Sequence, residues 1–177
     1  MTRVYEIAQL GNQILRQKAE IVTDVRDVEI RQIIEAMHST LASTQGVGIA
    51  APQISESKRI IIIASRPTPR YPSAPLMGPT VMINPCFWAL SETQEKDWEG
   101  CLSIPGIRAL VPRYQNIMIR YTDQQGGLME LKLSGFTARI FQHEFDHLEG
   151  KTYLDRVGNN VDIFAESEFV KLLEGIH

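Results

Sequence analysis

Two histidines four residues apart bracket a glutamate in His143-Glu144-Phe145-Asp146-His147. At 3.6 residues per turn, such a pair projects from one helix face and can grip a single ion. Neutral imidazoles suit zinc or ferrous iron, and the enclosed glutamate can work on water at that ion. Phe136 and Ile140 continue the same face upstream at steps of four and three, so the histidines should rise from the floor of an apolar pocket. Two histidines rarely suffice, because catalytic sites of this kind usually have three protein ligands and one open position. The chain offers two sources for the third: a carboxylate further on, Glu166 or Glu168, or the thiolate of Cys101 in Glu99-Gly100-Cys101-Leu102-Ser103. Such a pair could also sit inertly on a solvated helix. The chain has four histidines in all, however, and these two enclose a glutamate. His38 and His177 have no such context and read as structural or surface residues.

The elements that must position these groups are partly legible. Ile30, Ile33, Ile34, Met37 and Leu41 recur at helical steps between Asp27 and Gln45, with Asp24 or Asp27 as N-cap and Gly46 beyond the end. The run Gly46-Val47-Gly48-Ile49-Ala50-Ala51-Pro52-Gln53 follows, and its small residues suit close backbone approach. Ile60 to Ala64 reads as a buried strand, and Val81–Asn84 and Phe87–Leu90 as two more. Pro67, Pro69, Pro72, Pro75 and Pro79 predict an extended surface loop between them. Asn116–Thr122 and Leu128–Leu133 flank Gln124-Gln125-Gly126-Gly127 as a hairpin. A second helix starts at Ser134 or Gly135, carries the histidine pair and stops at Gly150. The apolar residues from Val161 to Ile176 predict a C-terminal helix. The expected architecture is α+β: one domain over residues 1–177, with mostly antiparallel sheets packed around the central metal-binding helix, plus that C-terminal helix.

Composition sets the outer limits. A chain of 177 residues, 44% hydrophobic and 22% charged, fits one ordinary globular domain. The net charge of −3 and the scattered Lys and Arg argue against sequence-specific nucleic-acid binding. Cys86 and Cys101 are too few for a disulfide scaffold, and Cys86 reads as a small buried hydrophobe at a strand end. No segment approaches the ~20 apolar residues that span a bilayer. With no signal-peptide pattern at the start, a cytoplasmic location and no membrane partner are expected.

The three strings ending in Gln53, Ser103 and His147 together resemble the signature of the peptide deformylase family, in its bacterial or organellar form. Ile14-Leu15-Arg16 and Gln142 extend the resemblance over most of the chain. It implies a hydrolase that removes the formyl group from the N-terminal formylmethionine of new polypeptides during their synthesis. It implies Cys101, His143 and His147 as metal ligands, Glu144 as general acid/base and Gln53 as an oxyanion donor. It implies ferrous iron as the physiological ion, with zinc, nickel or cobalt as other occupants, and a transient ribosome contact through the C-terminal region.

Within that scheme the backbone N–H of Leu102 is a second candidate oxyanion donor. Val47, Phe136 and Ile140 are candidates for the pocket receiving the methionine side chain, with ordinary core packing as the competing use. The resemblance suggests that Gly48 offers its backbone to an extended peptide. Glu99 and Arg108 are candidates for orienting substrate or for holding a ligand histidine by its other ring nitrogen. Two other readings stay open at this level. A zinc endopeptidase would recruit Glu166 or Glu168, and a structural zinc site would add Cys86 to Cys101 and the histidine pair.

Overall fold

Residues 60–63 are four consecutive isoleucines, and all four are fully buried. Side chains alternate across a strand, so such a run needs cover on both faces. The computed structural model, which describes residues 4–69 and 71–175, provides that cover. Its helices and strands in chain order are α1 (Val28–Ala42), β1 (Gly48–Ala50), β2 (Ile60–Ile63), β3 (Thr80–Ala89), β4 (Gln94–Cys101), β5 (Ile104–Tyr114), β6 (Asn116–Thr122), β7 (Leu128–Ser134), α2 (Gly135–Leu148), β8 (Ile163–Ala165) and α3 (Glu166–Glu174). Strands β1-β2-β3-β6-β7 form one antiparallel sheet and β4-β5-β8 another. From β2, Ile60 and Ile62 join Ile33, Ile34 and Met37 of α1 in one core. Ile61 and Ile63 join Ala138, Ile140 and Phe141 of α2 in a second core on the opposite face. Helix α2 also meets β5, so it runs between the two sheets as the central element of an α+β domain.

The helix signals hold. Asp27 caps α1 by accepting the Glu29 N–H at 2.9 Å. Gly150, at φ 70°, lies just past the end of α2, where a Cβ would fall 2.7 Å from the Arg16 carbonyl oxygen. The hairpin of β6 and β7 closes through Asp123, whose side chain accepts the N–H groups of Gln125 and Gly127.

Four features depart from the sequence reading. The two short strands around residue 85 are one strand, β3, bent by a register shift between Ile83 and Cys86, with Asn84 at φ 50°. The shift turns Cys86 outward, so it is exposed rather than buried. The C-terminal helix is shorter than expected, because Ile163–Ala165 pair with β5 at Ile107–Ala109 before α3 begins. Its expected last residues, Ile176 and His177, lie outside the described residues. Finally, the long hairpin β4–β5 had no strand signal, since β4 is largely exposed and polar and β5 holds two prolines.

Candidate metal centre

Cys101 ends β4, and a register irregularity between Glu99 and Cys101 turns the chain toward α2. His143 and His147 leave α2 one turn apart, with ring centroids 5.4 Å from each other. Cys101 Sγ lies 3.3 Å from His147 Nε2. One donor atom from each of the three residues falls within 4.8 Å of the others, and all three side chains are buried. Burial alone opposes a thiolate at Cys101. The charge of His147 and hydrogen bonds from both histidines outweigh it and hold the thiol well below its ordinary value. A thiolate and two imidazoles within such a span fit a divalent ion of zinc or ferrous-iron character.

A network of ion pairs fixes these side chains from behind. His143 Nδ1 lies 2.8 Å from Glu99 Oε2, which leaves its Nε2 for the cluster. Glu99 receives two bonds from Arg113, at 2.9 and 3.0 Å, and one from Arg139 at 2.9 Å. Burial raises the Glu99 carboxyl, but Arg113 and the bonds from His143 and Arg113 hold it well below the usual carboxylate range. The remaining Arg113 nitrogen reaches Asp146 at 2.6 Å, and Asp146 is flanked on its other side by Arg156. Arg139 also donates to the Val111 and Glu95 carbonyls, at 2.6 and 2.7 Å, which ties α2 to the β4–β5 hairpin. Cys101 and the histidine pair therefore meet because buried guanidiniums clamp their two elements together.

Toward β1 the surroundings differ. Glu144 is buried, and its Oε2 has no hydrogen-bond partner among the described residues. Desolvation pushes its carboxyl up to about 7, against the lowering influence of His143 and His147. Gly48 makes room for it, since a Cβ at that position would fall 2.5 Å from Glu144 Oε1. Gln53 is oriented by the Ala50 N–H, which donates to its Oε1 at 2.9 Å. The amide nitrogen thereby faces Cys101 Sγ at 3.6 Å and Ser103 Oγ at 3.2 Å. A pocket opens in front of these groups. Val47, Gly48, Leu102, Phe136 and Ile140 line it alongside Glu144, so the expected site residues converge. Val47, Ile140 and Phe136 also pack in or against the core shared with β2, so each borders both the pocket and the core.

Arg108 does not hold a histidine; that place is taken by Glu99. Its guanidinium instead bonds Glu166 and the Tyr71 hydroxyl at the edge of the pocket. Glu166 is thus drawn to Arg108, and Glu168 pairs with Lys171 on the surface. Neither glutamate, nor the exposed Cys86, belongs to the metal-competent group found among the described residues. Sequence reasoning missed Tyr71, Arg113, Arg139 and Asp146 as parts of the site's surroundings. Arg139 and Asp146 could have been suspected, being charged residues on the apolar side of a ligand helix, whereas Arg113 carries no local signal.

Comparison with known proteins gives the family. A family model described as polypeptide deformylase matches residues 4–162. Peptide deformylase 2 of Nostoc sp. is 52% identical over 167 residues, covering 94% of this chain and 93% of the relative. Peptide deformylase 2 of Shewanella oneidensis is 47% identical over 150 residues, 85% of this chain and 82% of the relative. The crystal structure of a class I type b peptide deformylase from Acinetobacter baumannii, bound to Met-Ala-Ser, is similar with a TM-score of 0.85 and 43% identity over 89% of this chain and 100% of that one. With a family model spanning most of its length and relatives above 40% identity over 82–93% of theirs, the chain belongs to the polypeptide deformylase family.

Proposed function

We propose that this protein hydrolyses the formamide of N-terminal formylmethionine on newly made polypeptides, releasing formate and a free amine. The observation that carries this reading is the buried Cys101–His143–His147 cluster beside Glu144, in a chain of the deformylase family. Cys101, His143 and His147 would hold a divalent ion, and we take ferrous iron as the physiological one, with zinc, nickel or cobalt able to use the same donors. When bound, such an ion supplies Lewis acidity that polarises a carbonyl and acidifies water.

Glu144 acts as the proton carrier. It accepts a proton as water adds to the formyl carbon and returns it to the nitrogen as the C–N bond breaks. A carboxyl pushed up to about 7 by burial suits both halves of that exchange near neutrality. Gln53 Nε2, fixed by the Ala50 N–H, and the Leu102 N–H meet the negative charge that develops on the formyl oxygen. Val47, Phe136 and Ile140 receive the methionine side chain, and Gly48 accompanies the extended peptide. Arg108 acts at the edge of the pocket, through its neighbours. The Met-Ala-Ser bound to the Acinetobacter baumannii relative supports a peptide of this class as ligand.

No described helix is long and apolar enough to cross a membrane. We place the protein in the cytoplasm, where nascent chains emerge. A transient ribosome contact through α3 belongs to the same reading, α3 exposing Val170, Leu172 and Leu173. The test is incubation of anaerobically purified, iron-loaded protein with formyl-Met-Ala-Ser. Formate with intact Met-Ala-Ser supports the assignment. A cut internal peptide bond, or no formate despite bound metal, contradicts it.

A further inference from the structure

The Pro-rich segment between β2 and β3 is irregular, yet it is tied to itself at several points. Ser65 Oγ donates to the Pro75 carbonyl at 2.5 Å, and the Met77 N–H donates to the Ser65 carbonyl at 2.8 Å. Thr68 and Tyr71 exchange main-chain hydrogen bonds at 3.0 and 3.1 Å, and the Ala74 N–H donates to the Tyr71 carbonyl at 3.2 Å. These bonds fold the segment back and hold Tyr71 against the body of the protein. The Tyr71 ring meets Phe136 at a centroid distance of 4.9 Å, and both side chains line the pocket in front of Glu144.

A second set of contacts fixes the same ring from the side of the metal centre. The Tyr71 hydroxyl accepts a hydrogen bond from Arg108 Nη1 at 3.2 Å. Arg108 is only 2% exposed, and Glu166 of α3 holds its Nε and Nη2 at 3.3 and 3.1 Å. The guanidinium lies close against Gly100, where a Cβ would fall 2.5 Å from Nη1. Gly100 stands between Glu99, which holds His143, and Cys101. The loop ring is therefore locked to the strand that carries the thiolate, and it has little freedom to retreat before a larger guest.

We infer that Tyr71 is a specificity-determining residue, its ring forming the wall that limits the size of the first side chain admitted beside Phe136. The inference rests on the deformylase reading above and goes beyond it, by assigning the size limit to the Pro-rich segment rather than to α2 alone. An apolar wall discriminates by volume, and a methylene or two is worth roughly tenfold or more in kcat/KM.

The experiment compares kcat/KM for formyl-Met-Ala-Ser and formyl-Phe-Ala-Ser on the metal-loaded protein and its Tyr71→Ala and Tyr71→Phe variants. The ratio of the two values is independent of the folded or metal-loaded fraction, because both peptides meet the same preparation. Tyr71→Ala should raise the Phe-to-Met ratio about tenfold, while Tyr71→Phe, which keeps the ring, should stay close to the unmodified ratio. An equal change for both peptides in Tyr71→Ala would overturn the inference and leave the deformylase reading intact. The same gain in Tyr71→Phe would also overturn it, since the effect would then follow the lost Arg108 bond. If the unmodified protein releases no formate from formyl-Met-Ala-Ser, the deformylase reading fails first and the inference falls with it.

Discussion

Where α2 meets the three-stranded sheet, Glu99, Asp146, Arg113 and Arg139 all bond to oppositely charged partners or to backbone carbonyls. Where the same helix faces β1, Glu144 is also buried, and one of its oxygens has no hydrogen-bond partner among the described residues. An ion taken out of water costs several kcal/mol unless partners replace the lost hydration. The first surface meets that cost with protein groups. The second leaves it to whatever enters the pocket; on the function proposed above, one face holds the metal-binding side chains still and the other stays ready to exchange a proton.

Removing a guanidinium from the holding face should do the most damage to the fold. Arg113→Met leaves Glu99 and Asp146 short of their shared partner in a buried setting. Loss of one member of such a pair costs about 3–5 kcal/mol, to be read from the midpoint of urea unfolding. An unchanged midpoint would mean that the network is not the clamp described. Glu99→Gln should act more locally. It keeps the shape but weakens the hold on His143, and outer partners of this kind are worth roughly 10–100-fold in metal affinity, measurable by competition with a chelator.

The same substitution gives a pH test. Glu99 titrates below its ordinary value of 4.5 in the folded protein, so its contribution is fully present above that pH and is lost as pH falls through the folded value. The stability gap between the unmodified protein and Glu99→Gln, both stripped of metal, should therefore narrow as the solution is acidified below 4.5. A gap that widens in acid would reverse the sign and contradict the assignment. At the small end, the Lys96–Asp162 pair has Lys96 half exposed at 52% and lies outside both faces. Lys96→Ala should shift stability by less than about 1 kcal/mol, which sets the scale for an ordinary surface pair.

The two faces also differ in how far the sequence reveals them. His143, Glu144 and His147 announce themselves because helical spacing alone puts them together, and α1 is legible for the same reason. The holding face depends on partners distant in the chain. Glu99 and Arg113 sit on a hairpin whose first strand is mostly exposed and polar, so neither alternation nor apolar runs mark it. Arg113 carries no local signal of burial, yet β5 brings it to Asp146 of α2. Ile163 and Phe164 read as helix because their apolar character is real, but the open edge of β5 takes them as a strand. Cys101 competed with Glu166 and Glu168 as third ligand until the resemblance among separated strings favoured it; what brings it to the histidines is the turn at the end of β4.

The division between holding and working faces is tested most directly on Glu144→Gln, measuring metal content and turnover of formyl-Met-Ala-Ser on one preparation. The account predicts metal retained in full and kcat reduced by a factor on the order of 10²–10⁴, the usual worth of a positioned acid/base. Near-native turnover with the metal still bound would contradict it.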